Sequence, residues 1–190
     1  QTQCNIPHHP QNMLLWNMNS CNQSFFNQNA LIVAKALIGK RIVYQEHEGI
    51  ILETEAYRGS DDPASHAYRG ITPRSKIMFQ EPGRLYIYMI YGMYHCMNIV
   101  CEPAGFPAAV LIRSIKTPEK LLDGPGKICK SFCLSCEQNG LPVYKNASLQ
   151  ISAGWVIPSS DIQQTSRIGI SKGHEKKWRY VYKGVKQDVF

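Results

Sequence analysis

Two glutamates one residue apart, Glu53 and Glu55, open the densest run of reactive side chains in the sequence. They lie in Leu52-Glu53-Thr54-Glu55-Ala56-Tyr57. A polar loop with Asp61, Asp62 and His66 follows, then Thr72-Pro73-Arg74, then the tyrosine-rich stretch from Leu85 to Asn98. Alternation along an extended strand puts Glu53, Glu55 and Tyr57 on one face and Leu52, Thr54 and Ala56 on the other. Paired acids on a strand usually mean a solvated surface. Here Ile50-Ile51-Leu52 precedes them and aromatics flank them, a setting in which a carboxylate can act as general base toward water. Neighbouring carboxylates raise each other's proton affinity, so a cation is needed to keep the base ionised; Arg113 is the candidate.

The aromatics suggest a ligand. Tyrosines at period two are ordinary sheet residues, which accounts for Tyr86. Tyr91 differs, because Tyr91-Gly92 breaks the strand pattern at an expected hairpin tip, where a large ring has little to pack against. Proteins that distort duplexes insert side chains of this kind between base steps. Tyr57, Tyr88 and His66 can form stacking walls for a planar ligand. We therefore expect the Glu55 carboxylate to face a slot bounded by those three rings. A lone loop histidine is more often structural than catalytic, and His66 has no partners at metal-ligand spacing. Cys129, Cys133 and Cys136 fall at helical spacing and read as a buried stripe rather than a zinc site. Gly124-Pro125-Gly126-Lys127 lacks phosphate-loop spacing. His174-Glu175-Lys176-Lys177 reads as a solvated turn.

The elements that position these residues follow from periodicity. Asn29 to Ile38 reads as an amphipathic helix with Leu31, Ala34, Leu37 and Ile38 on one face, stopped by Gly39. Strands are expected at Ile42–Tyr44 and Ile50–Tyr57 with a turn at His47-Glu48-Gly49, then at Leu85–Ile90, Tyr94–Val100 and Ala108–Ile112. In the hairpin, Asn98 is expected near Tyr88. Asp123 to about Glu137 reads as a helix, Pro158–Ser166 as a polar loop, and Leu149–Ile151, Arg167–Ile170 and Trp178–Tyr182 as strands. The pattern is α+β with a mainly antiparallel sheet.

At 190 residues, with 44% of them hydrophobic, the chain suits one domain with a single core. Residues 1–23 are Asn- and Gln-rich without a charged side chain; they read as a flexible tail, in which Met13-Leu14-Leu15-Trp16 can dock as a helical turn. Residues 24–190 form the domain. Lys and Arg total 21 against 14 acids, a net charge of +7 that favours polyanionic partners. Seven irregularly spaced cysteines fit a reduced, intracellular protein without a disulfide framework. No signal peptide and no run long enough to span a bilayer are visible. The sequence opens on Gln1, so a trimmed or processed start is expected.

Taken together, Leu52–Tyr57, the Asp61–His66 loop, Thr72–Arg74 and Leu85–Tyr94 with Cys96-Met97-Asn98 resemble the alkyladenine (N-methylpurine, 3-methyladenine) DNA glycosylase family. The likeness continues through Phe25-Phe26, Leu37–Gly39, Val110–Arg113, Gly124–Lys127 and Arg167–Ile170. It implies a curved sheet with flanking helices and a protruding β-hairpin. It implies that Glu55 activates water, with Arg113 and the Ile170 carbonyl positioning that water. Tyr57, His66 and Tyr88 would sandwich the extruded base, the His66 amide would read the purine edge, Tyr91 would fill the vacated stack, and Asn98 would clash with the 2-amino group of guanine. Thr72, Arg74, Met93 and Tyr94 would contact DNA. The expected protein is a monomeric, monofunctional enzyme on duplex DNA with damaged purines. It would need no cofactor, metal or membrane, and would be cytoplasmic in a bacterium or nuclear in a eukaryote. His95, where an aromatic is expected, and the short Cys101–Pro107 connection depart from the pattern. On the residues alone, a non-catalytic nucleic-acid binding module and a hydrolase of free nucleosides remain alternatives.

Overall fold

The computed structural model describes residues 20–144 and 149–186. One antiparallel sheet of nine strands dominates it, with its main path in the order β3-β4-β5-β2-β1-β7. The strands are β1 (Arg41–Tyr44), β2 (His47–Arg58), β3 (Leu85–Ile90), β4 (Tyr94–Val100), β5 (Ala108–Lys116), β6 (Leu121–Asp123), β7 (Leu149–Ser152), β8 (Ile162–Thr165) and β9 (Arg179–Tyr182). The longest, β2, is the hub. Its first half pairs with β1; its second half pairs with β9 on one edge and with β5 on the other. The sheet curls, and the β3–β4 hairpin projects from it, as expected for this α+β domain.

Helices cover one side. After a single turn, α1 (Gln23–Phe26), comes α2 (Ala30–Leu37). The Asn29 side chain caps α2 by accepting from the Leu31 N–H, and buried Glu102 accepts from the Ala30 N–H. Ala30, Val33, Ala34 and Leu37 are its buried face, while Leu31 is only half-buried. Gly39 follows with φ +87, a conformation that favours glycine. Underneath, buried Thr54 donates its hydroxyl to the Ala34 carbonyl at 2.8 Å. The third helix, α3 (Pro125–Ser131), lies against β4 and β5.

Several sequence expectations change. The first hairpin turns at Gln45-Glu46, where Gln45 has φ +53, so His47, Glu48 and Gly49 belong to β2. The β2–β5 register shifts on either side of Glu53: Ile51 opposes Ile115, Glu53 opposes Ser114 and Thr54 opposes Ile112. This bulge sends Ile51, not Leu52, into the main core beside Ala56. In the β3–β4 hairpin Asn98 opposes Tyr86, while Cys96 opposes Tyr88. The helix expected to reach Glu137 stops at Ser131, because Cys133 takes φ +52; a separate 3-10 turn, Cys136–Gln138, follows. The three cysteines therefore share no helix: Cys129 is buried, and Cys133 and Cys136 are exposed. Arg167–Ile170 is a loop, while β6 and β8 are strands that polar or short sequences concealed. Ser20 to Gln23 pack on the fold, with Cys21 in the core, and the Met13–Trp16 turn lies outside the described residues. Among the described residues no helix is long and apolar enough to cross a membrane, and no group of three or more His, Cys, Asp or Glu could hold a metal ion.

Candidate active site

The second half of β2 delivers both glutamates to the concave end of the sheet. Glu53 is gripped by two cations, Arg113 Nε at 3.1 Å and Arg179 Nε at 2.5 Å. Glu55 is wholly buried. Its Oε1 accepts the Ile168 N–H at 2.8 Å and lies 3.4 Å from Arg113 Nε, and its Oε2 accepts the Tyr57 hydroxyl at 2.8 Å. Burial raises the carboxyl's proton affinity, and the Arg113 charge opposes that rise most, followed by the Ile168 and Tyr57 hydrogen bonds. The Tyr57 phenol is itself pushed far up, first by burial and then by Glu55, so it stays a proton donor. Arg113 can touch both acids because it sits at the β2–β5 irregularity.

A cavity of about 470 Å³ opens beside this cluster. Tyr57, His66 and Tyr88 line it, as do Asn98, Tyr91, Arg113 and Ile170. Seven expected site residues thus converge from four separate stretches of chain. Glu55 departs from expectation. Its carboxylate is not part of the lining but lies directly behind it, in contact with Tyr57, Arg113 and Ile168, which are. The 167–170 loop folds over the acid and supplies a backbone N–H, and that cover takes the carboxylate out of view.

The aromatic wall is a small stack. The His66 and Tyr88 rings meet edge to face at 4.6 Å, and Tyr86 lies 5.3 Å from Tyr88. His66 Nδ1 shares a 2.8 Å hydrogen bond with the Tyr86 hydroxyl. Burial of its ring, and secondarily the Arg74 charge, lower the His66 proton affinity, so this wall is neutral at neutral pH. The Asn98 side chain donates to the Tyr86 carbonyl at 3.0 Å and the Cys96 carbonyl at 3.1 Å, which fixes its orientation. Tyr91 and Gly92 both have positive φ, 51 and 69. That pair of values suits the tight turns that join twisted strands, but is strained for tyrosine. Tyr91 is 87% exposed, so nothing in the fold repays that strain.

The four expected DNA contacts lie outside the cavity. Thr72 exchanges hydrogen bonds with Ser75 at the start of the 3-10 turn Ser75–Phe79. Arg74 sits over the Tyr88 ring at 5.5 Å and donates to the Met89 carbonyl. Met93 and Tyr94 are exposed at the hairpin end, where Tyr94 packs against Gly126.

Sequence reasoning missed the clamp behind the cavity. Asp62 and Arg167, both fully buried, form a two-pronged ion pair at 2.6 and 2.7 Å. Arg167 also donates to the Ala56 carbonyl and lies 4.7 Å from the Tyr57 ring. Asp62 accepts the Arg58 and Ala64 backbone N–H groups as well. The pair therefore ties the loop carrying His66 to the loop covering Glu55. Its members are 105 residues apart in sequence, and only Asp62's unusually crowded polar loop hinted at it.

Chemically, the arrangement offers an aromatic slot for a flat ligand, a buried carboxylate held against an arginine, and a neutral histidine. A family model described as methylpurine-DNA glycosylase matches residues 24–186. A protein of Ehrlichia ruminantium is 48% identical over 168 residues, covering 86% of this chain and 89% of its own. One of Wolbachia sp. subsp. Brugia malayi is 47% identical over 165 residues, covering 83% and 94%. One of Rickettsia felis is 47% identical over 163 residues, covering 84% and 90%. All three are named, provisionally, as 3-methyladenine DNA glycosylases.

Proposed function

Since the chain belongs to the methylpurine-DNA glycosylase family, we propose that it holds a damaged purine, swung out of duplex DNA, between Tyr57, His66 and Tyr88 and hydrolyses its glycosidic bond with Glu55 as the base. It is a DNA glycosylase of the 3-methyladenine type, acting in base excision repair. The observation that carries the mechanism is the buried Glu55 carboxylate, held by Tyr57, Ile168 and Arg113 against the cavity lining.

Extrusion costs a few kcal/mol, less for a weakly paired lesion. Stacking on aromatic walls returns roughly 1–3 kcal/mol per base. Tyr91, exposed at the hairpin tip, fills the gap left in the stack. Water enters between Arg113 and the 168–170 loop, oriented by the Ile170 carbonyl. Glu55 takes its proton as the oxygen bonds to C1′; the C1′–N bond breaks, and its electron pair leaves with the purine. The ionised carboxylate also stabilises the positive charge that develops on the sugar. The His66 amide reads the purine edge, and Asn98, pinned by two carbonyls, excludes the 2-amino group of guanine. Thr72, Arg74, Met93 and Tyr94 meet the DNA around the extruded nucleotide.

Among the described residues no lysine lines the cavity, so no amine is set to form a Schiff base. This supports a monofunctional enzyme that leaves an intact abasic site. Duplexes with a single 3-methyladenine, 7-methylguanine, hypoxanthine or ethenoadenine test this. Free base should appear, with strand breakage only after alkali. Breakage without alkali, trapped as a covalent adduct by borohydride, would contradict it.

A further inference from the structure

Three guanidinium groups surround the cavity, and their compensation differs. Arg113 pairs with Glu53 and Glu55, and Arg167 pairs with Asp62. Arg74 is exposed, and among the described residues it has no carboxylate partner; its contacts are the Met89 carbonyl and the Tyr88 ring. It is not part of the cavity lining, whereas the Tyr88 ring it sits over is. An aromatic face attracts a cation through its quadrupole. A ring that already holds one cation attracts a second less, and two like charges across one ring repel.

We infer that Arg74 is a specificity-determining residue that biases the cavity against positively charged purines and toward neutral ones. The inference rests on the reading of Tyr88 as a wall of the base pocket. The same charge already acts on a neighbouring wall: after burial, Arg74 is the cause that lowers the proton affinity of His66. A cation among these rings meets that penalty whether it is a proton on His66 or the ring charge of an N-alkylated base. Tyr57 is backed in a similar way by Arg167 at 4.7 Å, but Asp62 neutralises that charge, so the bias falls to Arg74.

The test uses the full chain in a Glu55→Gln background, so that bases are bound and not released. Affinities are measured at fixed salt for duplexes holding cationic 3-methyladenine or neutral hypoxanthine, neither of which carries the 2-amino group that Asn98 excludes. Losing a phosphate contact at Arg74 weakens both equally and leaves their ratio unchanged. Arg74→Gln should instead move the ratio toward the cationic lesion by about two- to fivefold, and Arg74→Lys, which keeps the charge, should stay near the parent. An unchanged ratio, or a move toward the neutral lesion, overturns the inference. Tyr88→Leu separates the two layers. If it weakens both lesions while the Arg74→Gln ratio stays fixed, only this inference fails; if it leaves both affinities intact, the pocket reading fails and takes the inference with it.

Discussion

Arg113 touches both glutamates of β2, and Glu55 needs it more. Burial drives the Glu55 carboxyl upward, and the Arg113 charge is the largest opposing influence. A general base works ionised, so the rate should rise with pH through the Glu55 carboxyl and then level off. That acid limb should lie above the ordinary carboxylate range. Arg113→Gln removes the opposing charge and should move the limb to still higher pH in single-turnover base release, with the plateau lowered. A limb that stays put or moves toward acid would show that Arg113 does not tune this acid. The linkage to stability has a definite sign. Folded Glu55 binds its proton more tightly than the unfolded chain, so it favours folding at low pH, and that contribution is lost as pH rises through the raised value. At this scale the sequence was legible for residue types: an acid, an arginine and three aromatic walls could each be picked out. It did not reveal that Glu55 lies behind the cavity lining, because the covering N–H belongs to Ile168, 113 residues away.

Among the elements, the loops after β2 and β8 decide the shape of the site, and the Asp62–Arg167 pair holds them together. Removing one partner strands a fully buried charge, which costs about 3–5 kcal/mol. Asp61 offers a comparison one residue away: its bond to Arg58 is half-exposed, and such pairs contribute within about 1 kcal/mol. Asp62→Asn should therefore destabilise the fold by about 3–5 kcal/mol in urea unfolding, with Asp61→Asn close to the parent. Equal losses would mean that the buried pair is not the clamp described. The strands themselves were readable, since β3 is an unbroken run of apolar and aromatic residues and Tyr91-Gly92 punctuates it before β4. Arg167–Ile170 was misread as a strand because Ile168 and Ile170 mimic alternation, while the segment gives its backbone to Glu55 instead of to a ladder. The overlong helix from Asp123 failed similarly. Cysteines at helical spacing imitate a buried face, but Cys133 adopts a left-handed φ that ends it.

Across the molecule, a +7 chain places a strained, exposed tyrosine at the tip of a hairpin that also lines the cavity, an arrangement suited to a polyanion with one extruded unit. Composition and alternation disclosed the α+β antiparallel class and a basic surface. The full strand order was not available from them, because β2 meets β5 and β9 at separations that no local pattern records. In the proposed mechanism a single buried carboxylate turns captured water on the sugar of a stacked purine. Single-turnover release from a 3-methyladenine duplex by Glu55→Gln, with lesion binding followed in the same samples, tests it most directly. Binding should survive while release falls by roughly two to four orders of magnitude, the range a positioned general base supplies. Release at the parent rate with binding intact would contradict it.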